Sequence, residues 1–310
     1  MGHSVEARKQ RWADLLAKPT DGRKFVFRIG VRTPEPPPVV RAWPWLKAER
    51  IETAWQSYNA MLERAKWLDD DLVPYMPVAT GTEIFAEALG CEVYRPEDNN
   101  PFAIPFAHTL HDAERIRAPR LEGTPLMQLF EIADELRRRG GPDALLTMVD
   151  MQSPMDIVAQ IWDKTDLFVA MLQTPDVVLE LAAKARALQT AFLDEWFRRY
   201  GAEHVAHYPD YYVRRGMTLS ADEVGNVNPR MFHSSSWRSS TYSRSATAAS
   251  ASTAAPTRSI SGRTSCSSRG CGSSTCTSRR RSWTRPMRSS ARTRRRCTSI
   301  SGTARCACCR

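Results

Sequence analysis

Three places in this chain set carboxylate, guanidinium or hydroxyl side chains beside an apolar run, where they could bind acidic groups or move protons. Arg28 and Arg32 stand four apart in RIGVR. That pairing suits a ligand with several carboxylates, because a planar guanidinium grips a carboxylate through two parallel hydrogen bonds. Asp150, Gln152 and Ser153 follow the run ALLTMV as DMQSP, and Asp210, Tyr211 and Tyr212 follow HYP. Asp150, Asp210 and Tyr211 are the candidates for catalysis, with Arg28, Arg32, Gln152 and Ser153 as candidate substrate-binding residues. Taken singly, each Asp suits a turn or a helix cap equally well; three polar ends together point to a shared site.

Other reactive side chains carry less. His204 and His207 are three apart on a predicted strand, where they face opposite sides and do not share a metal. His108 and His111 occupy an irregular segment after Pro105, and Cys91, after Ala88, Leu89 and Gly90, reads as a small buried residue. No G-x-G-x-x-G and no G-x-x-x-x-G-K-[ST] occurs, which leaves dinucleotide and P-loop nucleotide sites without support.

The elements that must position these residues alternate between strand and helix. Residues 24 to 29, KFVFRI, read as a short strand, followed by the Pro-rich TPEPPP, which continues neither a helix nor a ladder. Ile51, Trp55, Tyr58, Met61, Leu62 and Ala65 recur at helical spacing and predict a helix over 47 to 66 with one face in the core. Strands are predicted at 71 to 76, DLVPYM, at 144 to 150, ALLTMVD, and at 203 to 208, EHVAHY. MDIVAQIWDKTDLFVAML, 155 to 172, reads as helix. A further helix is expected to start at Thr174, with the Thr174 hydroxyl as its cap, Pro175 in its first turn and Gly201 closing it. Strand, helix, strand with short connections is the pattern of a parallel βα array, in which ligands meet the C-terminal ends of the strands.

The composition breaks at residue 233. From there to 310 the chain has no Leu, Val, Phe, Asp, Glu, Lys, Asn or Gln, while 22 of the 78 positions are Ser and 16 are Arg. Residues 1 to 232 carry 28 Lys and Arg against 34 Asp and Glu, a net charge of −6, so the formal +10 of the whole chain comes from the tail. The domain reading is therefore a body, 1 to 232, and a disordered Ser/Arg-rich tail, 233 to 310. A displaced reading frame explains that tail. Shifted by one nucleotide, Ser codons yield Phe, Leu, Ile or Val, and with third bases chosen freely the stretch after His233 back-reads through GGIGIHCCADA. The alternatives are a Cys-rich appendage and a genuine disordered arm whose Arg residues bind nucleic acid phosphates. Seven of the eight Cys lie in the tail, without repeated C-x-x-C pairs or a nearby His, which speaks against a zinc site there.

The body resembles the uroporphyrinogen decarboxylase superfamily, which includes zinc-dependent methyltransferases that act on corrinoid proteins. GTEIFAEALGCEV at 81 to 93, DNNPF at 98 to 102, MVDMQSPMDIVAQI at 148 to 161 and HYPDYYVRRGMTLSADEVGNVNPRMF at 207 to 232 carry the similarity, over roughly residues 45 to 232. The resemblance implies an α/β chain folded as a (β/α)8 TIM barrel, incomplete here. Asp210 with Tyr211 matches the family's polar strand end, Ser220 in MTLS matches a Ser in a similar loop, and Arg28 with Arg32 is similar to its R-x-x-x-R. No partner for the family's Asp after the second strand is visible in VPYMPVATG. The implied activity is cofactor-free removal of a carboxylate from a tetrapyrrole or similar polycarboxylate. The alternative is methyl transfer with zinc and a corrinoid partner, whose zinc ligands would fall in the lost segment. A barrel closes only over about 250 residues with every strand present, so the chain as written is expected to be inactive and poorly folded. No apolar run approaches the roughly 18 residues of a membrane span, and no apolar leader begins the chain. The expected compartment is the cytoplasm.

Overall fold

The computed structural model describes residues 4 to 17, 25 to 31, 40 to 228, 231 and 257 to 258. The chain divides into Met1–Thr264 and Ser265–Arg310, and the described residues all lie in the first unit. They build a mixed α/β fold in which helices dominate. The helices are α1 (Val5–Ala17), α2 (Lys47–Trp67), α3 (Ile84–Ala88), α4 (Leu110–Arg115), α5 (Met127–Gly140), α6 (Pro154–Ile161), α7 (Lys164–Gln173) and α8 (Pro175–Tyr200). The strands are short: β1 (Tyr75–Met76), β2 (Glu92–Tyr94), β3 (Phe102–Ile104), β4 (Leu145–Leu146), β5 (His204–Val205), β6 (Tyr212–Val213), β7 (Thr218–Leu219) and β8 (Thr257–Arg258).

The functional geometry rests on β1, β4 and β5. β1 pairs with β4 in parallel, and a parallel bridge joins Thr147 to Val205 just beyond β4. Thr147 N donates to Met76 O at 3.1 Å and Met148 N to Val205 O at 2.7 Å, which continues the register across all three segments. The parallel array read from the sequence is present at this point. Its strands are shorter than the apolar runs suggested, and β1 shows why. Pro74 and Pro77 flank it, and neither has an N–H to give to a ladder.

Residues 25 to 31 form no strand, although one was predicted over 24 to 29, because side-chain acids hold them in place of a ladder. Asp71 Oδ2 accepts Phe27 N at 2.9 Å, Asp70 Oδ2 accepts Ile29 N at 3.1 Å, and Asp71 N returns a bond to Phe27 O. Both Asp are fully buried and are held in turn by α1. Arg8 reaches Asp70 at 3.2 Å and the carbonyls of Leu68 and Leu72, while Trp12 Nε1 donates to Asp71 O. Trp12 then packs with Val73, Leu145, Val205 and Tyr212 as a small core on one face of the strands.

The larger core lies among the helices. α8 buries Leu181, Ala185, Leu188, Phe192 and Trp196, the stripe that its sequence spacing predicts, but at its head Val178 is buried in place of the expected Val177. Phe192 meets Phe130 of α5 at 5.0 Å and stands edge-on to Phe85 of α3 at 5.6 Å. Gly201 ends α8 with φ at 82°, where a side chain would be strained, and its N–H bonds Phe197 O.

Two helix expectations need correction. The Thr174 side chain does not cap α8; its hydroxyl donates back to Ala170 O at 3.4 Å, because Thr174 also ends α7 and lies one turn from that carbonyl. The stretch 155 to 172 is two helices. Trp162 leaves the helical path to form a parallel bridge with Ala107, and Asp163 restarts the chain by capping Thr165 N and Asp166 N. An N-cap Asp inside a continuous apolar run is the signal that was passed over.

Candidate functional site

The C-terminal ends of β1, β4 and β5 bring polar side chains together. After β1 the chain leads to Thr80, whose hydroxyl accepts Asp150 N at 2.9 Å, and Val78 N donates to Thr147 Oγ1 at 2.8 Å. These two bonds tie the segment after β1 to the segment after β4. Asp150 therefore sits at a fixed place beyond the strand, largely covered.

The Asp150 carboxylate has two side-chain neighbours. Gln152 Nε2 donates to Oδ1 at 2.8 Å, and His207 Nε2, from the turn after β5, lies 3.7 Å from Oδ2. Burial raises the Asp150 carboxyl above the usual carboxylate range; His207 and Gln152 oppose that and Asp222 adds to it. An acid raised by burial and faced by an imidazole is a candidate for proton transfer.

The backbone around Asp150 is pinned on both sides. Ser153 N donates to Ser220 O at 2.7 Å, Ser220 N donates to Met151 O at 2.9 Å, and Gln189 of α8 donates to Gln152 O at 2.7 Å. Ser153 is buried, and its hydroxyl donates to Asp156 Oδ2 at 2.7 Å within a reciprocal capping box at the start of α6. Asp156 also accepts Glu223 N, and burial pushes its carboxyl up to about 6. Ser153 thus orders the helix entry, while Ser220 braces the loop beside Gln152 through its backbone.

A second group lies in the turn after β5. The chain reverses through a cis Tyr208–Pro209 bond, and Asp210 adopts a positive φ of 62°, a conformation Asp tolerates better than most residues. β6 then returns antiparallel to β5, so a hairpin follows this strand directly. Arg28 Nη1 donates to Asp210 Oδ2 at 2.6 Å. Asp210 also lies beside Tyr75 of β1, whose phenol is raised above its ordinary range chiefly by burial and then by Asp210. The Tyr211 ring packs against Trp12 at 4.9 Å, on the same side as the N-terminal helix. Arg32 lies outside the described residues.

The structure therefore joins Asp150 with Gln152, and Arg28 with Asp210, and it gives Ser153 and Ser220 bracing contacts. Two participants were missed. His207 had been placed on a strand with His204, yet the strand stops at Val205 and the turn carries His207 to Asp150. His204 stays buried, with Nδ1 on Ala202 O at 3.0 Å, and burial pushes its imidazole down to about 4. Glu83 is the other; it is 3% exposed, close enough to Asp150 for their charges to interact, and burial pushes its carboxyl up to about 7. An acid directly preceding the apolar run IFA in GTEIFAEALG was the available signal. Cys91 is buried as expected, its thiol pushed up to about 12.

For zinc, which the methyltransferase branch of the resemblance implies, the described donors do not fit. Among the described residues no group of three or more His, Cys, Asp or Glu is gathered to hold a metal ion. Likewise, no helix among them is long and apolar enough to cross a membrane.

Fold and site together define a mixed α/β protein with an acid–imidazole pair at the ends of parallel strands. No family model matches the chain, and no curated protein sequence matches it. Among solved structures, a methyltransferase from Methanosarcina mazei aligns over 63% of this chain at 12% identity, with a TM-score of 0.48. The aligned part spans about half of that structure, 52% of its length.

Proposed function

We propose that the body is the N-terminal part of a (β/α)8 barrel of the uroporphyrinogen decarboxylase superfamily. In this reading it is an acid–base lyase that removes a carboxylate from a tetrapyrrole or related polycarboxylate. The observation that carries the reading is the pairing of Asp150 with His207 across the ends of adjacent parallel strands, 3.7 Å apart. When the substrate's carbon–carboxylate bond breaks, carbon dioxide leaves and the bonding electron pair stays on carbon, which must then take a proton. Asp150 supplies that proton, and His207 and Gln152 hold the carboxylate that remains. Arg28, one-third exposed on Asp210, exchanges this partner for a substrate carboxylate.

The tail beyond 232 is, in the same proposal, the product of a displaced frame. Resequencing the coding DNA across codons 225 to 245 tests that directly. A one-base restoration that opens an aliphatic frame with His-Cys supports it, and a confirmed frame overturns it. The activity is tested by incubating the protein in its verified frame with uroporphyrinogen and following carbon dioxide and less-carboxylated porphyrins. Asp150→Asn is expected to lower turnover by about 10²-fold or more, the usual weight of a positioned proton donor. A natively folded protein without turnover, or an Asp150→Asn variant at full rate, would sink the reading.

A further inference from the structure

Beside this cluster, on the far side of Thr80, α2, the loop into α3 and the start of α5 form a half-open cavity of about 110 Å³. Ala42, Pro44, Arg50, Thr80, Glu83 and Arg95 contribute to its wall. That volume exceeds the roughly 10 to 15 Å³ needed for one water and admits a small molecule.

Its wall sets polar groups that are incompletely paired among apolar side chains. Glu83 Oε2 is buried with no hydrogen-bond partner, and so is Arg95 Nε. Buried donors and acceptors are costly to leave unmatched, so two in one wall point to a polar ligand. Arg50, 8% exposed, spends one donor on Ala79 O at 2.9 Å; Arg95 binds Glu87 at 2.5 Å.

Charge decides what that occupant is. Two guanidiniums, Arg50 from α2 and Arg95 after β2, face one carboxylate already paired, Glu87 of α3. The fourth group is Glu83, with Asp150 beyond it. Burial pushes Glu83 up to about 7 and Arg50 down to about 10, so near neutral pH Arg50 is charged and Glu83 is partly protonated. With Glu83 protonated the wall is one positive charge in excess. The excess disappears when Glu83 ionises.

We propose that this cavity is a binding site for a small monocarboxylate anion, held by the Arg50 and Arg95 guanidiniums and taken up together with a proton on Glu83. A planar carboxylate matches the guanidinium fork, and its second oxygen accepts from protonated Glu83. Gly81 makes the arrangement possible. A Cβ there would overlap Glu83 Oε2, so a larger residue would push the carboxyl aside from this position. The site stands whether or not the decarboxylase reading does, since neither Asp150 chemistry nor a large substrate enters the argument.

The test is calorimetric titration of the full-length protein with sodium formate at pH 6 and pH 8, with sodium phosphate as the comparison anion. Saturable formate binding at pH 6, weakened about tenfold at pH 8, is expected, because Glu83 must carry its proton. Glu83→Gln should bind formate equally at both pH values. Arg95→Met should lose it, with near-UV circular dichroism confirming a native fold. Gly81→Ala, which displaces the Glu83 carboxyl without changing charge, should weaken binding at pH 6. No saturable formate binding at pH 6 overturns the proposal. So does binding of phosphate alone, or a pH dependence that survives in Glu83→Gln.

Discussion

The Asp150 carboxylate and the His207 imidazole come from the ends of neighbouring parallel strands and stand 3.7 Å apart. Burial raises Asp150, and His207 is the largest influence holding it down. Replacing His207 with Gln should therefore move the Asp150 carboxyl still higher. Carbon-13 NMR titration of the Asp carboxyls would show one resonance shifting its midpoint upward. An unchanged Asp150 midpoint would mean that the two groups do not interact in solution.

Glu83 makes stability depend on pH in a defined direction. Its folded-state value of about 7 lies above that of an unfolded Glu, about 4.3. The folded protein thus holds the proton more tightly, and this contribution is complete below the unfolded value. It fades as pH rises through about 7. Its size is on the order of 4 kcal/mol, at about 1.4 kcal/mol per pKa unit. Asp156, raised to about 6, falls in the same direction in both proteins, so the comparison with Glu83→Gln isolates Glu83. Urea midpoints of the wild type should drop more between pH 5 and pH 8 than those of the variant. Parallel curves would remove Glu83 from the balance.

Much of this arrangement could be read in the sequence, for identifiable reasons. The α8 stripe and the parallel order of β4 and β5 follow from local periodicity, and Asp150 and Gln152 stood out because they end an apolar strand. The parts that escaped depend on contacts distant in the chain. Asp70 and Asp71 look like surface acids, yet Arg8, Arg11 and Trp12 of α1, about sixty residues earlier, cover and bind them. His207 pairs with Asp150 only because Pro209 and the positive φ of Asp210 turn the chain there. Thr174 satisfied every local cap rule and still lost its hydroxyl to the preceding helix.

Asp70 should be among the least replaceable residues of the body. Its carboxylate, fully buried, accepts Arg8, Arg64, Leu72 N and Ile29 N. Asp70→Ala leaves the buried Arg8 guanidinium without its counter-charge, a change that typically costs about 3 to 5 kcal/mol. It also releases the 25 to 31 segment. Chemical denaturation should show a loss of that size, together with faster hydrogen exchange at Ile29 and Leu72. A loss under about 1 kcal/mol would show that α1 is not anchored through this pair.

Arg28 should behave in the opposite way. Its ion pair with Asp210 is one-third exposed on each side, and such pairs contribute about 1 kcal/mol or less. Arg28→Ala should therefore leave the denaturation midpoint almost unchanged. Its expected effect is on binding, because Arg28 stands at the strand end nearest Asp210 and Tyr75 and can turn its fork toward an incoming carboxylate. Titrating uroporphyrin, a stable polycarboxylate, against protein fluorescence separates the two roles. Affinity should fall for Arg28→Ala and recover only in part for Arg28→Lys, since an ammonium lacks the bidentate fork. Equal affinity across all three proteins would make Arg28 a partner of Asp210 and nothing more.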